Sequence, residues 1–326
     1  MNMIKMDSIA TLSVWEENAS GTICSNIRYQ ISTKIATPKS ISFNQVSDIL
    51  IGKAPEILHT LASQLIEVSD TRNRHFWNHP DDPKEHAPDW HQFGIITHSQ
   101  EVMKHAKNMR QILEEFQIDT PIIQKLDDHI DGKTKQELLV MAMMLHDIGK
   151  FQRYFITKDG KTEIKHNGHE DKWWNILRNY PDIRIYLMKE LILSKEHMDY
   201  IADCVTVHYK LGNVRDAVKK RDSWFTITFA KSDECRDACD TLIMNHPSLA
   251  FEIWATYLAD GLGKMGMHFF AETDAEIEQK RSKIELYIQD NHLSPKLLGG
   301  ILQRPVNAMV AKTYFKQLES LDNLSK

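Results

Sequence analysis

The chain has 326 residues, 42% of them hydrophobic and 26% charged, with a formal net charge of −5. Such a make-up suits a soluble globular protein with room for one large domain and appendages, and it lacks the broad basic field of a duplex nucleic-acid binder, so no extended nucleic-acid surface is predicted. The longest apolar runs fall short of a membrane span and no charged-then-apolar leader opens the sequence, so a cytoplasmic protein without membrane association is expected.

Residues 1–40 carry little periodicity. Residues 10–14 and 22–35 are rich in Thr, Ile, Ser and Val, which suits short strands or irregular chain. Ser42 is placed to cap a short helix ending at Ile51, and Pro55 to open a second helix over residues 56–68. Residues 70–92 differ in character. They hold Pro80, Pro83 and Pro88, the histidines His75, His79, His86 and His91, and both Trp77 and Trp90. The prolines exclude a long helix. A loop of this kind either covers a site or packs its tryptophans onto the core.

From Thr97 the pattern turns helical almost to the end. His98, Val102, His105 and Met109 share one face, with His105 expected in the core or behind the site. Residues 137–147 form the next helix, with Gly149 positioned as a left-handed cap. Lys158-Asp159-Gly160-Lys161 reads as a turn. Further helices are predicted over about 170–179, 181–193, 196–209, 224–244, 248–259, 274–289 and 296–319. The fold class is all-α, divided into an N-terminal extension (1–90), a helical core (91–265) and a C-terminal helical extension (266–326).

Cys235 and Cys239 lie four apart on a predicted helix, but no second pair is near them. They read as two thiols on one helix face rather than half of a zinc site.

The informative stretch is Leu138-Leu139-Val140-Met141-Ala142-Met143-Met144-Leu145-His146-Asp147-Ile148-Gly149-Lys150. An imidazole and a carboxylate at the end of so apolar a helix are costly to bury unless something pairs with them, and a metal ion suits both. Further candidates follow the same logic. His98 starts a helix, His169 precedes one in His166-Asn167-Gly168-His169-Glu170, His208 shares a face with Ile201 and Val205, and Asp260 shares one with Ile253 and Tyr257. Four imidazoles and two carboxylates make a borderline nitrogen and oxygen set, suited to Mn, Fe, Co, Ni or Zn, with Mg allowed at one position. Six protein ligands exceed what one open catalytic ion takes and fit two. Asp147 would bridge, with His98, His146 and Asp260 on one ion and His169 and His208 on the other. A water bridging the ions could then exist as hydroxide near neutral pH and attack in line.

At this point the chain resembles the HD-domain metallohydrolase superfamily. The matching residues are His98, the His146-Asp147 doublet, His169, His208 and Asp260, spanning roughly residues 97–262. The resemblance implies an HD-domain helical bundle with added helices at both ends. It also implies that the first His, the doublet and the late Asp bind one metal, and that the intervening histidines mark a two-metal member. Trp90-His91-Gln92-Phe93-Gly94-Ile95 is similar to the lead-in of bacterial HD hydrolases, including those attached to tRNA nucleotidyltransferases, although no nucleotide-transfer module is visible here. Lys150 matches a lysine that can face a substrate phosphate. No Gly-Tyr-Pro follows His208, residue 209 is Tyr where several two-metal members have a second His, and neither a helicase nor alarmone regulatory domains are present. The specific substrate therefore does not transfer.

The expected function is a metal-dependent phosphohydrolase. It would cleave a phosphomonoester or phosphodiester of a small phosphorylated substrate such as a nucleotide, by a metal-bridging hydroxide. Asp147, Lys150 and His166 are the catalytic candidates. Lys150, with Arg153 or Lys210, would offset phosphate charge. His166 or Glu170 would support a ligand, or His166 would protonate the leaving group. One alternative is a di-iron oxygenase of the same fold that cleaves C–C or C–P bonds; another is a non-catalytic nucleotide-binding signalling module. A homodimer is compatible with the sequence.

Overall fold

The computed structural model describes residues 42–67, 79–86, 89–115, 121–152, 154–158, 160–166, 168–214 and 226–324. The strand-like stretches expected within residues 1–40, together with His75, Trp77 and Arg153, lie outside the described residues. The fold is all-α, with two small antiparallel hairpins inserted between helices.

The first helix, α1 (Phe43–Glu67), runs through Pro55 instead of breaking into two at it. A proline inside a helix leaves the carbonyl four residues back without its donor. Here that carbonyl belongs to Ile51, and the Gln100 side-chain amide donates to it at 2.8 Å. The apolar face of Ile51, Ala54, Leu58, Leu61 and Leu65 is buried along the whole length, so packing favours continuity.

Helices α2 (Ile95–Lys107) and α3 (Met109–Glu115) follow. A 3-10 turn (Pro121–Asp127) then leads into the hairpin of β1 (His129–Ile130) and β2 (Lys133–Thr134). Thr134 ends the hairpin and opens α4 (Lys135–Leu145). Its hydroxyl accepts from the Glu137 amide at 3.2 Å, and the Glu137 carboxylate accepts from the Thr134 amide at 2.7 Å. Such a reciprocal cap contributes about 1 kcal/mol. All residues from Leu138 to Leu145 are buried. A helix apolar on every face belongs in the middle of a domain, and α4 lies between α2 and α7 (Lys195–Val207).

Beyond α4 come a 3-10 turn (Ile148–Gln152) and a hairpin of β3 (Tyr154–Lys158) and β4 (Lys161–Lys165), with Gly160 between the strands. The turn was expected; the flanking strands were not. Helices α5 (Lys172–Asn179) and α6 (Pro181–Glu190) precede α7. The helix expected over 224–244 is two: α8 (Ile227–Ala230) and α9 (Asp233–Asn245). Ser232 separates them, because its hydroxyl accepts the Cys235 amide and starts a new helix. Helix α10 (Ala250–Gly263) packs on α2. The helix expected over 274–289 is likewise divided at Lys280 into α11 (Asp274–Gln279) and α12 (Arg281–Asp290). The last helix, α13 (Leu297–Leu324), closes over α10. Among the described residues, no helix is long and apolar enough to cross a membrane.

Candidate metal centre

The site forms where α2, α4, α7 and α10 converge. His98 lies in the first turn and a half of α2, His146 and Asp147 follow the last turn of α4, His208 caps α7, and Asp260 lies in the last turn of α10. His169 enters from the segment after β4. All of these are buried except His169, which is half-buried.

Their geometry is tight. His98 Nε2 is 3.2 Å from His146 Nε2, 3.1 Å from Asp260 Oδ1 and 3.5 Å from Asp147 Oδ2. His169 Nε2 is 2.9 Å from Asp147 Oδ1. The ligand atoms of His98, His146 and Asp260 lie within 4.8 Å of one another, as do those of Asp147, His169 and His208. The structure thus brings all six sequence-predicted residues together, with the two oxygens of Asp147 facing different members of the group.

Backbone carbonyls set the tautomers. His98 Nδ1 lies 3.1 Å from Gly263 O, His146 Nδ1 2.7 Å from Met143 O, His169 Nδ1 2.9 Å from His166 O, and His208 Nδ1 2.6 Å from Val205 O. A carbonyl only accepts, so each Nδ1 carries the hydrogen and each Nε2 turns a lone pair inward. Glu170 adds a carboxylate 3.1 Å from His169 Nδ1. Orienting partners of this kind are what metal-ligating histidines need.

Inward lone pairs beside two carboxylates demand positive charge. Burial would raise the Asp147 and Asp260 carboxyls. For Asp147 the effect is outweighed by His146 and Lys150, and for Asp260 by Lys264 and the histidines, so both are held well below the usual carboxylate range. Lys264 Nζ sits 2.8 Å from Asp260 Oδ2. Burial pushes His98 down and His208 down to about 3. His146 goes the other way: burial opposes its charged form, but Asp147 and Asp260 prevail and raise it. A proton on His146 could serve one of these contacts, whereas a divalent cation could serve several. The residues present fit a metal ion.

Residues 95–220 match the family model of the HD domain. The chain carries an HD domain. Such domains are largely metal-dependent hydrolases, and the His/Asp cluster here can hold a divalent metal. The match begins at the first residue of α2 and ends before Asp260, so α10 and α13 lie beyond it. No curated protein matches the chain.

The loop before the HD domain contributes more than its sequence revealed. The Asp81 carboxylate accepts from the Thr97 amide at 2.7 Å and from the Thr97 hydroxyl, so a distant side chain caps α2 where Gly94 has none to offer. A Cβ on Gly94 would come within 2.0 Å of Asp81 O, so only glycine permits this approach. The docked loop places two histidines inside. His86 Nε2 is 3.1 Å from Asp147 Oδ2, and His91 stacks on His86 with ring centroids 3.9 Å apart. Neither had been singled out, because an aperiodic loop does not show which histidines turn inward. His79 and His105 stay out of the cluster. His79 accepts the Asp81 amide and His105 packs edge-on against His268.

Gly149 is not a left-handed cap. A Cβ there would fall 2.1 Å from His169 O, so the missing side chain lets the turn after α4 press against the backbone that carries His169. Lys150 Nζ lies 2.7 Å from Asp147 Oδ2 and 2.9 Å from His86 Nε2, so its ammonium is engaged by the cluster while also lining the cavity. His166 Nε2 lies 3.1 Å from Glu85 O, which places its hydrogen on Nε2 and leaves a lone pair on Nδ1. Burial lowers its pKa to about 3, so the ring is neutral and presents a hydrogen-bond acceptor rather than an acid.

Above the cluster opens a cavity of about 470 Å³. Lys264 and Arg304 supply positive charge, Trp90, Tyr209 and Tyr257 flat surfaces, and Gln303 and Asn307 amides. Arg304 is held by its own helix, with Nε donating to Gly300 O at 3.0 Å. Lys210 is not on this wall. Cys235 and Cys239 are buried thiols that join no metal-competent cluster among the described residues.

Proposed function

We propose that the chain is a metal-dependent phosphohydrolase that cleaves a phosphomonoester or phosphodiester of a nucleotide at two divalent ions. His98, His146, Asp147 and Asp260 hold one ion, and Asp147, His169 and His208 hold the other. The observation that carries this reading is the inward convergence of carbonyl-anchored Nε2 lone pairs on Asp147 and Asp260 at a cavity that Lys150, Lys264 and Arg304 also line. Divalent ions bound there activate water and offset phosphoryl charge.

The chain's own groups do the rest. Lys264 keeps Asp260 ionised and oriented, and Lys150 does the same for Oδ2 of Asp147. Lys264 and Arg304 face the cavity and offset the charge of a bound phosphate. Trp90, Tyr209 and Tyr257 offer stacking surfaces for a base. His166 accepts a hydrogen bond at Nδ1.

The deciding experiment reloads chelator-stripped protein with Mn or Fe. It assays bis-p-nitrophenyl phosphate and a panel of nucleotides, with an oxygen electrode in parallel. Phosphoester cleavage without oxygen uptake is expected. Oxygen uptake on polyol or phosphonate substrates without phosphoester cleavage would overturn the proposal in favour of an oxygenase.

A further inference from the structure

We propose that His86 and His91, together with Asp147 Oδ2, form a third cation position beside the six-residue cluster, which the ammonium of Lys150 occupies when no metal ion does.

The first observation is His91. It is only 7% exposed, and neither ring nitrogen has a hydrogen-bond partner among the described residues. A neutral imidazole always carries one N–H and one lone pair, and leaving such groups buried and unpaired costs about 1–3 kcal/mol each. The ring is fixed in place, stacked on His86 at an interplanar angle of 25° and set edge-on to His98 with centroids 5.0 Å apart, and it lines the cavity. A rigid, buried, unsatisfied donor atom at a cavity wall is what an absent ligand leaves behind.

The second observation is His86. Its Nδ1 lies 3.0 Å from Phe93 O, so its hydrogen is there and Nε2 is a bare lone pair. That lone pair faces Asp147 Oδ2 at 3.1 Å, one acceptor against another. The contact is tolerable only with positive charge alongside. Lys150 provides it, with Nζ 2.9 Å from His86 Nε2 and 2.7 Å from Asp147 Oδ2. The ammonium satisfies two of the three donor groups and leaves His91 unserved.

The third observation is distance. Ligand atoms of His86, His91 and His98 lie within 4.8 Å of one another. His98 is committed elsewhere, with Nδ1 on Gly263 O and Nε2 toward His146 and Asp260. Asp147 Oδ2, 3.1 Å from His86 Nε2 and shared with the six-residue cluster, supplies the third ligand. Two imidazoles and one carboxylate oxygen, open toward a cavity, suit a borderline divalent ion such as Mn or Fe. Its arrival would displace the Lys150 ammonium, which already lines the cavity. The position shares only Asp147 with the six ligands of the proposed phosphohydrolase, and it does not depend on which reaction they catalyse.

The test is titration of chelator-stripped, full-length protein with Mn²⁺, followed by calorimetry and by electron paramagnetic resonance of the free ion. Wild type should bind a third ion more weakly than the other two. His91→Ala should lose that ion and keep the tighter ones, with its circular dichroism unchanged. Lys150→Met removes the competing ammonium and should tighten the weak site by about tenfold. Two ions in both wild type and His91→Ala would overturn the proposal. So would a third ion that His91→Ala retains, or a weak site whose affinity Lys150→Met leaves unchanged. Loss of the two tighter ions would instead count against the six-residue cluster.

Discussion

His98 and His146 meet Nε2 to Nε2 at 3.2 Å, each with its Nδ1 hydrogen tied to a backbone carbonyl. Neither nitrogen can donate to the other while both rings are neutral, so in that state the contact is repulsive and calls for a proton or a cation. A cation turns it into an attraction. Ligand binding to the folded state alone stabilises by about 2.7 kcal/mol at a hundredfold excess over the dissociation constant. Chelator treatment should therefore lower the melting temperature by roughly 5 °C or more. In His146→Ala the metal-dependent part of that shift should vanish. An unchanged melting temperature on chelation in wild type would show that the cluster holds no ion.

Gly149 governs the other side of the centre. Adding the methyl of Gly149→Ala puts a carbon 2.1 Å from His169 O, far inside van der Waals contact. The turn after α4 and the His169 backbone must separate, at a cost of about 1–3 kcal/mol for an overpacked contact. His169 should then leave Asp147. Metal analysis is expected to show loss of one ion, with the His98, His146 and Asp260 group still loaded. A variant with full metal content and wild-type stability would contradict the role given to this glycine.

The residues that were legible in the sequence share one property. His146, Asp147, His208 and Asp260 sit on or at the ends of apolar helices, where a polar side chain stands out against its neighbours. What was not legible depends on partners far along the chain. The continuity of α1 through Pro55 rests on Gln100, the docking of the loop rests on Asp81 reaching Thr97, and Gly149 answers to His169. His86 and His91 were visible only as members of a histidine-rich loop, since nothing local marks a side chain that turns inward after a proline. Lys264 could have been found, because it lies one helical turn after Asp260.

Away from the centre, Glu252 is buried at 2% exposure and accepts from Tyr200 and Lys135, at 3.2 and 3.1 Å. It joins α10 to α7 and to the start of α4. Glu252→Ala would leave the Tyr200 hydroxyl and the Lys135 ammonium without their partner. Breaking a fully buried pair costs about 3–5 kcal/mol, and the partial exposure of Lys135 places this one nearer 2–3 kcal/mol. Chemical denaturation should show that loss, with metal stoichiometry unaffected. A change below about 0.5 kcal/mol would mean that the pair contributes nothing net.

Acid should weaken the metal-free protein. Burial holds His105 down to about 4 and His166 and His208 down to about 3, against an ordinary value of 6.5. These rings are neutral when folded and take up protons when unfolded. Their contribution to stability is therefore complete above about pH 6.5, falls as the pH drops from there toward the folded values, and levels off below them. Each adds a slope of up to about 1.4 kcal/mol per pH unit, with half-buried His105 contributing less. Urea midpoints measured with chelator at pH 7.5, 6 and 5 should decline steadily, and His105→Gln should decline less steeply. A midpoint that is flat or rises toward pH 5 would contradict neutral buried imidazoles.

The substrate wall offers the sharpest separation of chemistry from recognition. Gln303 and Asn307 lie one turn apart on α13, beyond the segment that matches the HD domain, and both line the cavity opposite the cluster. Paired amides are suited to the edge of a nucleobase, and the nearby Trp90 and Tyr257 to its face. If the base binds there, Gln303→Leu and Asn307→Leu should raise KM for a nucleotide by about tenfold, equivalent to ~1.4 kcal/mol of lost binding. The same variants should leave kcat, and all turnover of bis-p-nitrophenyl phosphate, close to wild type, because that substrate has no base to read. Equal losses on both substrates would mean that α13 supports the metal centre itself.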